Sequence, residues 1–395
     1  METEWVEVNL KDICVNKSNT CKDLESANIE RYVGLEHLEP EDLRISSWGL
    51  VKDGTTFTKI FSSGQVLFGK RRSYQKKAAV ADFSGVCSGD ILVLEAKQDL
   101  IIPELLPYIV QNDNFFDYAV GTSSGSLSPR TSWKHLSSYK VRIPQDKSTQ
   151  KEIVERLNKI EYAIIQKKNL EKATRIYKKK LMKEILSKGI NYAEFKQTDF
   201  GEIPLTWKIQ KLYEISSRVT RKNKEELTDN VLTISAQLGL VNQMEFFNKK
   251  VASKNLQGYY LLEKGDFAYN KSYSNGYPMG AIKPLERYDL GVVSSLYICF
   301  RMLSDFVNNN FMKYYFESDL WHSEVSKIAQ EGARNHGLLN ISVKDFFEIN
   351  ICLPPLIEQE KIVSILSKVD AQIKSYEQES LKMIAIKKSL QQRLL

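Results

Sequence analysis

Long apolar runs are missing from this chain of 395 residues. Without a run of about eighteen, no segment is expected to cross a membrane as a helix. The opening METEWVEVNL has neither the basic flank nor the apolar core of a signal peptide, so none is expected. Cysteine is scarce and scattered, at 14, 21, 87, 299 and 352, with no C-x-x-C pair. An odd set of this kind suits reduced thiols in a cytoplasmic protein better than a disulfide framework. The histidines, at 37, 135, 322 and 336, form no H-E-x-x-H, so no structural or catalytic metal is expected. No G-x-G-x-x-G follows a strand-like run, and DFG at 199–201 stands without the other kinase elements. LPPL at 353–356 offers no polar group to hold an amine, unlike the Asn/Asp-Pro-Pro-aromatic tetrad of amino-methyltransferases. These absences leave a chain read as non-catalytic, with no cofactor of its own.

What is present is ordinary globular material, 42% hydrophobic and 27% charged, with a net charge of +7. The excess of positive charge is local. Residues 148–189 hold 12 Lys/Arg against 5 Asp/Glu, whereas the mixed regions on either side are close to neutral, so a polyanion site there has to be a local patch.

The chain is written twice. EWVEVNLKDI at 4–13 resembles TWKIQKLYEI at 206–215, GQVLFGKRRS at 64–73 resembles GDFAYNKSYS at 265–274, and QKEIVERLNKI at 150–160 resembles QEKIVSILSKV at 359–369. Order and spacing are both kept, and the period is far too long for a solenoid. Each copy has β-like runs: QVLF, DILVLEA and YKVRIP in the first; VLTIS, SLYICFRM and FEINICLP in the second. Ile349, Ile351 and Leu353 alternate as in a half-buried strand. Proline closes each mixed region, at Pro144 and at Pro354–Pro355, and a long helical stretch follows.

In those stretches Ile153, Leu157, Ile160 and Ile164 step by four, three and four, and Ile362, Leu366, Val369 and Ile373 step identically. This is the spacing of a narrow coiled-coil seam. The first seam loses phase and returns at Leu170, Tyr177, Leu181 and Ile185, and Gly189 stands where that helix should stop. Two matched seams predict mutual pairing, and an antiparallel pair would make the chain a dimer written as one polypeptide. The expected architecture is α+β: two α/β domains at 1–146 and 205–355, in a tandem pseudo-twofold arrangement, and spacer helices at 147–190 and 356–395 with a linker at 191–204. At 1.5 Å per residue each helix is roughly 60 Å long. A rigid spacer between two unlike readers suits a split DNA target with a fixed gap.

The stretch GQVLFGKRRSYQKK at 64–77 comes one residue short of the phosphate-loop pattern G-x-x-x-x-G-K-[ST]. Gln65, Val66, Leu67 and Phe68 prefer an extended packed strand to a phosphate-wrapping loop, and Arg71 replaces the magnesium-holding hydroxyl. A strand from Gly64 delivering a basic loop fits better. Lys70, Arg71, Arg72, Ser73, Tyr74, Gln75, Lys76 and Lys77 offer phosphate contacts, base-edge hydrogen bonds and an aromatic face. The second copy offers Asn270, Lys271, Ser272, Tyr273 and Asn275, with Asn suited to adenine. A second polar loop precedes the closing strand in each copy, GTSSGSLSPRTSW at 121–133 with Arg130 and QEGARNHGLL at 330–339 with Arg334, Asn335 and His336. Asp82, Glu95 and Lys97 sketch a D…E-x-K metal-nuclease arrangement. A strand ending in solvated charges explains them better, and the second copy, with Phe300, Arg301 and Met302 at the matching strand end, does not repeat them.

The ordered set RYVGLEHLEPEDLRI at 31–45, LFGKRRSYQKKAAVADFSGVCSGDILVLEA at 67–96, TDFGEIPLTWKIQKLYEI at 198–215 and INICLPPLIEQEKIVSIL at 349–366 resembles the specificity subunits of type I restriction-modification enzymes over essentially the whole chain. The resemblance implies two target recognition domains, each reading one half of a bipartite asymmetric double-stranded DNA target. The paired helices would set the gap and dock two methylation subunits, with restriction subunits joining in the full complex. S-adenosylmethionine, ATP and magnesium would sit on those partners. The specificity component of a combined restriction-methylation enzyme of type IIB or IIG kind is the nearest alternative. A stand-alone nuclease built on Asp82, Glu95 and Lys97 is the other.

Overall fold

The computed structural model describes residues 4–235, 238–247, 255–272, 276–329 and 339–395. Backbone contacts divide the chain into two compact units, Met1–Leu170 with Ser375–Leu395, and Glu171–Lys374. Both are built to one plan. In the first unit, strand Trp5–Asn9 pairs antiparallel with Lys140–Pro144, bringing the start of the mixed region to its end. In the second, Lys208–Lys211 pairs the same way with Asn350–Leu353. A short helix follows each opening strand, Leu10–Ile13 and Leu212–Ile215, with an acid three residues after the cap (Asp12, Glu214) closing back on the cap's amide.

Each unit then has a four-stranded antiparallel sheet. In the first the order is Cys14–Lys17, Ile91–Ala96, Val66–Gly69, Ala78–Val80; in the second it is Ser216–Arg218, Ile298–Met302, Phe267–Asn270, Ala281–Pro284. The central strand Val66–Gly69 is apolar throughout because both its faces are covered. Val66, Leu67 and Phe68 are all buried, the middle one on a different cluster from its neighbours. The same is true of the closing strand of the second unit. The alternation of Ile349, Ile351 and Leu353 predicts one wet face, but Cys352 is buried as well, within the same core.

Two long helices, Lys147–Lys188 and Leu356–Leu394, follow the closing strands. Gly189 ends the first in a left-handed conformation (φ 70°). Their partners run in opposite senses. Glu161 faces Lys387 and Lys167 faces Glu379 in the first unit, and Lys178 faces Asp370 in the second, so the pair is antiparallel. Ile153, Leu157, Ile164, Ile362, Leu366 and Ile373 are buried, and Ile160 and Val369 half-buried. Ile153 and Leu157 also pack into the core of the first globular region, and Ile362 and Leu366 into that of the second. The seam therefore binds each helix to its own domain as well as to the other helix. The expected return of the first seam needs correction: Leu170 and Tyr177 are exposed, and the inward stripe runs through Lys178, Met182, Ile185 and Leu186. An ion-paired lysine in that stripe hides it from a count of apolar residues.

One further device is written twice. Gln150 and Gln359, in the first turns of the two helices, are almost wholly buried. Gln150 accepts from the amide of Ile102 (2.9 Å) and donates to the carbonyls of Leu100 and Pro144 (2.8 and 2.7 Å). Gln359 accepts from Asn308 (2.8 Å) and donates to Phe306 and Pro354 (3.3 and 3.0 Å). Each amide satisfies three backbone groups where helix, proline and domain loop meet. No helix of the described residues is long and apolar enough to cross a membrane.

Candidate nucleic-acid interface

The opening basic stretch begins with a tight turn, not with the strand itself. Gly64 takes φ 87°, and Gln65 accepts from the amide of Ser62 (2.7 Å) before the strand starts at Val66. Gly69 closes that strand where a Cβ would lie 2.9 Å from the Leu35 side chain and 3.2 Å from the Lys77 carbonyl. The chain then leaves the sheet. A 3-10 turn at Ser73–Gln75 is flanked by Arg72 (φ 54°, ψ 52°) and Lys76 (φ 53°, ψ 43°), both left-handed. Such backbone costs about 1–2 kcal/mol for a residue other than glycine, so surrounding contacts must hold it.

They come from the second polar loop. The amide of Arg72 donates to Pro129 O (2.7 Å), that of Thr131 donates to Lys70 O (3.0 Å), and Arg71 and Arg130 face one another as a single antiparallel bridge. The two loops singled out in the first copy therefore form one surface. Arg71 and Arg72 donate through Nη2 to Ser128 Oγ (3.0 and 3.3 Å). Arg130 donates Nε and Nη2 to Asp90 (2.9 and 3.4 Å), and Arg71 Nη1 lies 3.5 Å from the same carboxylate. The Arg130 hydrogen bond, with the charges of Arg130, Arg71 and Lys70, holds the Asp90 carboxyl below its ordinary range despite partial burial. Tyr74 and Leu127 are exposed on these loops.

Other residues of the stretch face the protein. Lys76 pairs with Asp113 (2.5 Å), Lys77 donates to Leu35 O (2.7 Å), Ser73 is buried, and Gln75 is half-buried. In the second copy Leu339 N donates to Lys271 O (3.0 Å), the counterpart of Thr131 on Lys70. Lys271 Nζ reaches Ile341 O (3.2 Å), and Asn270 Oδ1 accepts from Ser272 N (3.1 Å). Tyr273, Asn275, Arg334, Asn335 and His336 lie outside the described residues. Sequence reasoning did not pick out Asp90 or Ser128. A signal for Asp90 exists in SGDILVLEA, where an acid opens the strand beside the basic one.

Glu95 is held by Lys17 (2.9 Å) and by the Gln65 amide (2.6 Å), Lys97 donates to Lys11 O (2.6 Å), and Asp82 is exposed. Among the described residues no three His, Cys, Asp or Glu side chains are grouped to hold a metal ion. The thiols of Cys14, Cys87, Cys299 and Cys352 are buried, and burial pushes each up to about 12.

The profile of the family described as "Type I restriction modification DNA specificity domain" matches residues 2–175 and again 189–383. The chain belongs to this family. It carries two copies of the specificity domain, in tandem, over nearly all of its length. Among curated proteins it is similar to the type I restriction enzyme EcoDI specificity subunit of Escherichia coli, with 31% identity over 138 residues. That match spans 33% of this chain and 30% of the relative's length. Its fold resembles a chain from a structure concerned with complex assembly and conformational transition of the type I R-M system, at TM-score 0.58 and 16% identity, covering 100% of this chain and 98% of that one. It also resembles the S subunit of a type I restriction-modification system from M. genitalium, at TM-score 0.54 and 12% identity, covering 100% and 96%.

Proposed function

We propose that this chain is the DNA sequence-specificity subunit of a type I restriction-modification complex, supplying the address and not the chemistry. Each specificity domain reads one half of a split double-stranded target. The paired helices set the gap and dock two methylation subunits, which bind S-adenosylmethionine and methylate adenine. Restriction subunits, using ATP and magnesium, join for cleavage. One observation carries the reading. In both copies the second polar loop donates to the carbonyl of the lysine that follows the central strand, Thr131 on Lys70 and Leu339 on Lys271. The same link at the end of the central strand is thus made twice, beside loops of different sequence, which suits two unlike half-sites. In the first copy those loops carry three arginines, the residue type best matched to guanine edges and phosphates.

Co-expression with its methylation subunits, followed by sequencing for modified adenines, tests this. The expected result is one motif of two unlike halves around a fixed gap. Methylation of a continuous motif, or magnesium-dependent cutting by the purified chain alone, overturns it.

A further inference from the structure

We propose that Asp90 is a positioning residue for the first specificity domain. It aims Arg71 and Arg130 as one preformed donor set at base edges and restrains them from serving as plain phosphate contacts. The inference rests on the reading of the chain as a DNA specificity subunit and names a determinant within it.

The argument begins with charge. A carboxylate set among residues that approach DNA weakens attraction to the phosphates, so for affinity alone its place is unfavourable. Geometry supplies the compensating use. Asp90 takes two donors from Arg130 and lies within ion-pair distance of Arg71, and each guanidinium has five N–H donors in a rigid fork. Donors are left over on both, and both side chains keep a solvent-facing part, 37% exposed for Arg71 and 48% for Arg130. Ser128 fixes the second terminal nitrogen of Arg71 and one of Arg72. The Nε atoms of Arg71 and Arg72 are buried and find no acceptor among the described residues, so the remaining outward donors define which way each fork points.

Among the described residues the arrangement occurs in one copy. Phe68 pairs with Leu92 in the first sheet and Tyr269 with Ile298 in the second. Two residues before those partners stand Asp90 and Leu296, and Leu296 is 70% exposed. No carboxylate occupies the equivalent position in the second copy, so the effect of Asp90 should be restricted to one half-site. Preformed direction is what base readout needs, whereas phosphate contacts tolerate mobile side chains.

The test uses the full chain assembled with its methylation subunits, on a library randomised in both half-sites and on DNA lacking the target. Asp90→Asn keeps size and removes charge. It should lower discrimination at the first half-site about tenfold, the scale of one bidentate base contact. The second half-site and the gap should stay unchanged. Affinity for non-target DNA should rise, with a salt slope steeper by about one ion for each arginine freed to meet a phosphate. Asp90→Glu should restore part of the discrimination. A mere loop strut predicts the reverse, with target and non-target binding falling together and no rescue. That result, or unchanged preference in Asp90→Asn, overturns the proposal. If the unmodified complex shows no split motif, the parent reading fails first and this one falls with it.

Discussion

The two units bury a lysine at the same point of the helix pair and surround it differently. Glu161 and Asp370 each stand eleven residues after the buried glutamines Gln150 and Gln359, and Lys387 and Lys178 each stand 28 after Gln359 and Gln150. In the first unit Lys387 donates to Glu161 (2.6 Å) and approaches Gln111 (3.4 Å), above the ring of Tyr108. In the second, Lys178 meets Asp370 (2.8 Å) and Glu317 (3.0 Å), above Tyr314, whose hydroxyl donates to Asp370 (2.7 Å). A neutral amide in one unit is thus a second carboxylate in the other. Burial compensates: Lys387 and Glu161 are 7% and 11% exposed, whereas Glu317 and Asp370 are 32% and 37% exposed. The unit with the smaller charge count hides its charges, and the unit with the larger leaves them partly hydrated. A buried ion pair in a helix seam is better suited to choosing register than to adding stability.

The comparison can be broken most forcefully at Lys387. Lys387→Met leaves the largely buried Glu161 carboxylate without its cation and should cost about 3–5 kcal/mol. The double variant Glu161→Leu, Lys387→Met should recover most of that loss, because an apolar pair replaces the charges without leaving one unpaired. Lys178→Met should cost less, on the order of 1–2 kcal/mol, since water screens the two carboxylates it leaves. Urea midpoints, with hydrogen exchange to locate the loosened unit, measure all three. A larger loss at Lys178 than at Lys387 would mean that charge count outweighs burial.

The paired glutamines sharpen the comparison by predicting equality. Gln150→Ala and Gln359→Ala each leave one buried amide and two carbonyls without a partner, and each should cost about 2–3 kcal/mol. Unequal midpoints would show that water replaces the side chain in one unit and not in the other.

How much of this was legible from residues alone divides along the same lines. The duplication, the long helices and the Gly189 stop follow from apolar period and from repeated strings, because packing at those positions tolerates few residue types; the pairing of opening with closing strands joins residues far apart in the chain, which no local pattern shows. The second half of the first helix was misread because its inward stripe contains Lys178. Burial of a charge depends on Glu317 and Asp370 arriving from elsewhere in the chain, which no local pattern records. At the candidate interface the basic stretch was visible as charge, but which of its cations turn outward was not. Asp113 and the Leu35 carbonyl draw Lys76 and Lys77 to the protein, whereas Asp90 and Ser128 hold the arginines on the loop surface.

The smallest expected difference lies at the helix starts. Asp146 precedes the first helix, and its carboxylate accepts from the Ser148 hydroxyl (2.5 Å) and the Thr149 amide (2.9 Å). These bonds hold its carboxyl down to about 2. The second helix has Pro355 in the corresponding place, whose carbonyl accepts from the amides of Glu358 and Gln359, and no titratable cap. Because the folded value lies below the unfolded one, the contribution of Asp146 is complete above about pH 4 and is lost as the pH falls toward 2. Asp146→Ala should therefore speed amide exchange in the first turn after Lys147 at neutral pH and leave the turn after Leu356 unchanged. In the unaltered chain the first of these turns, and not the second, should loosen on acidification. Equal loosening of the two turns would show that the acid response comes from carboxylates deeper in the units and not from the cap.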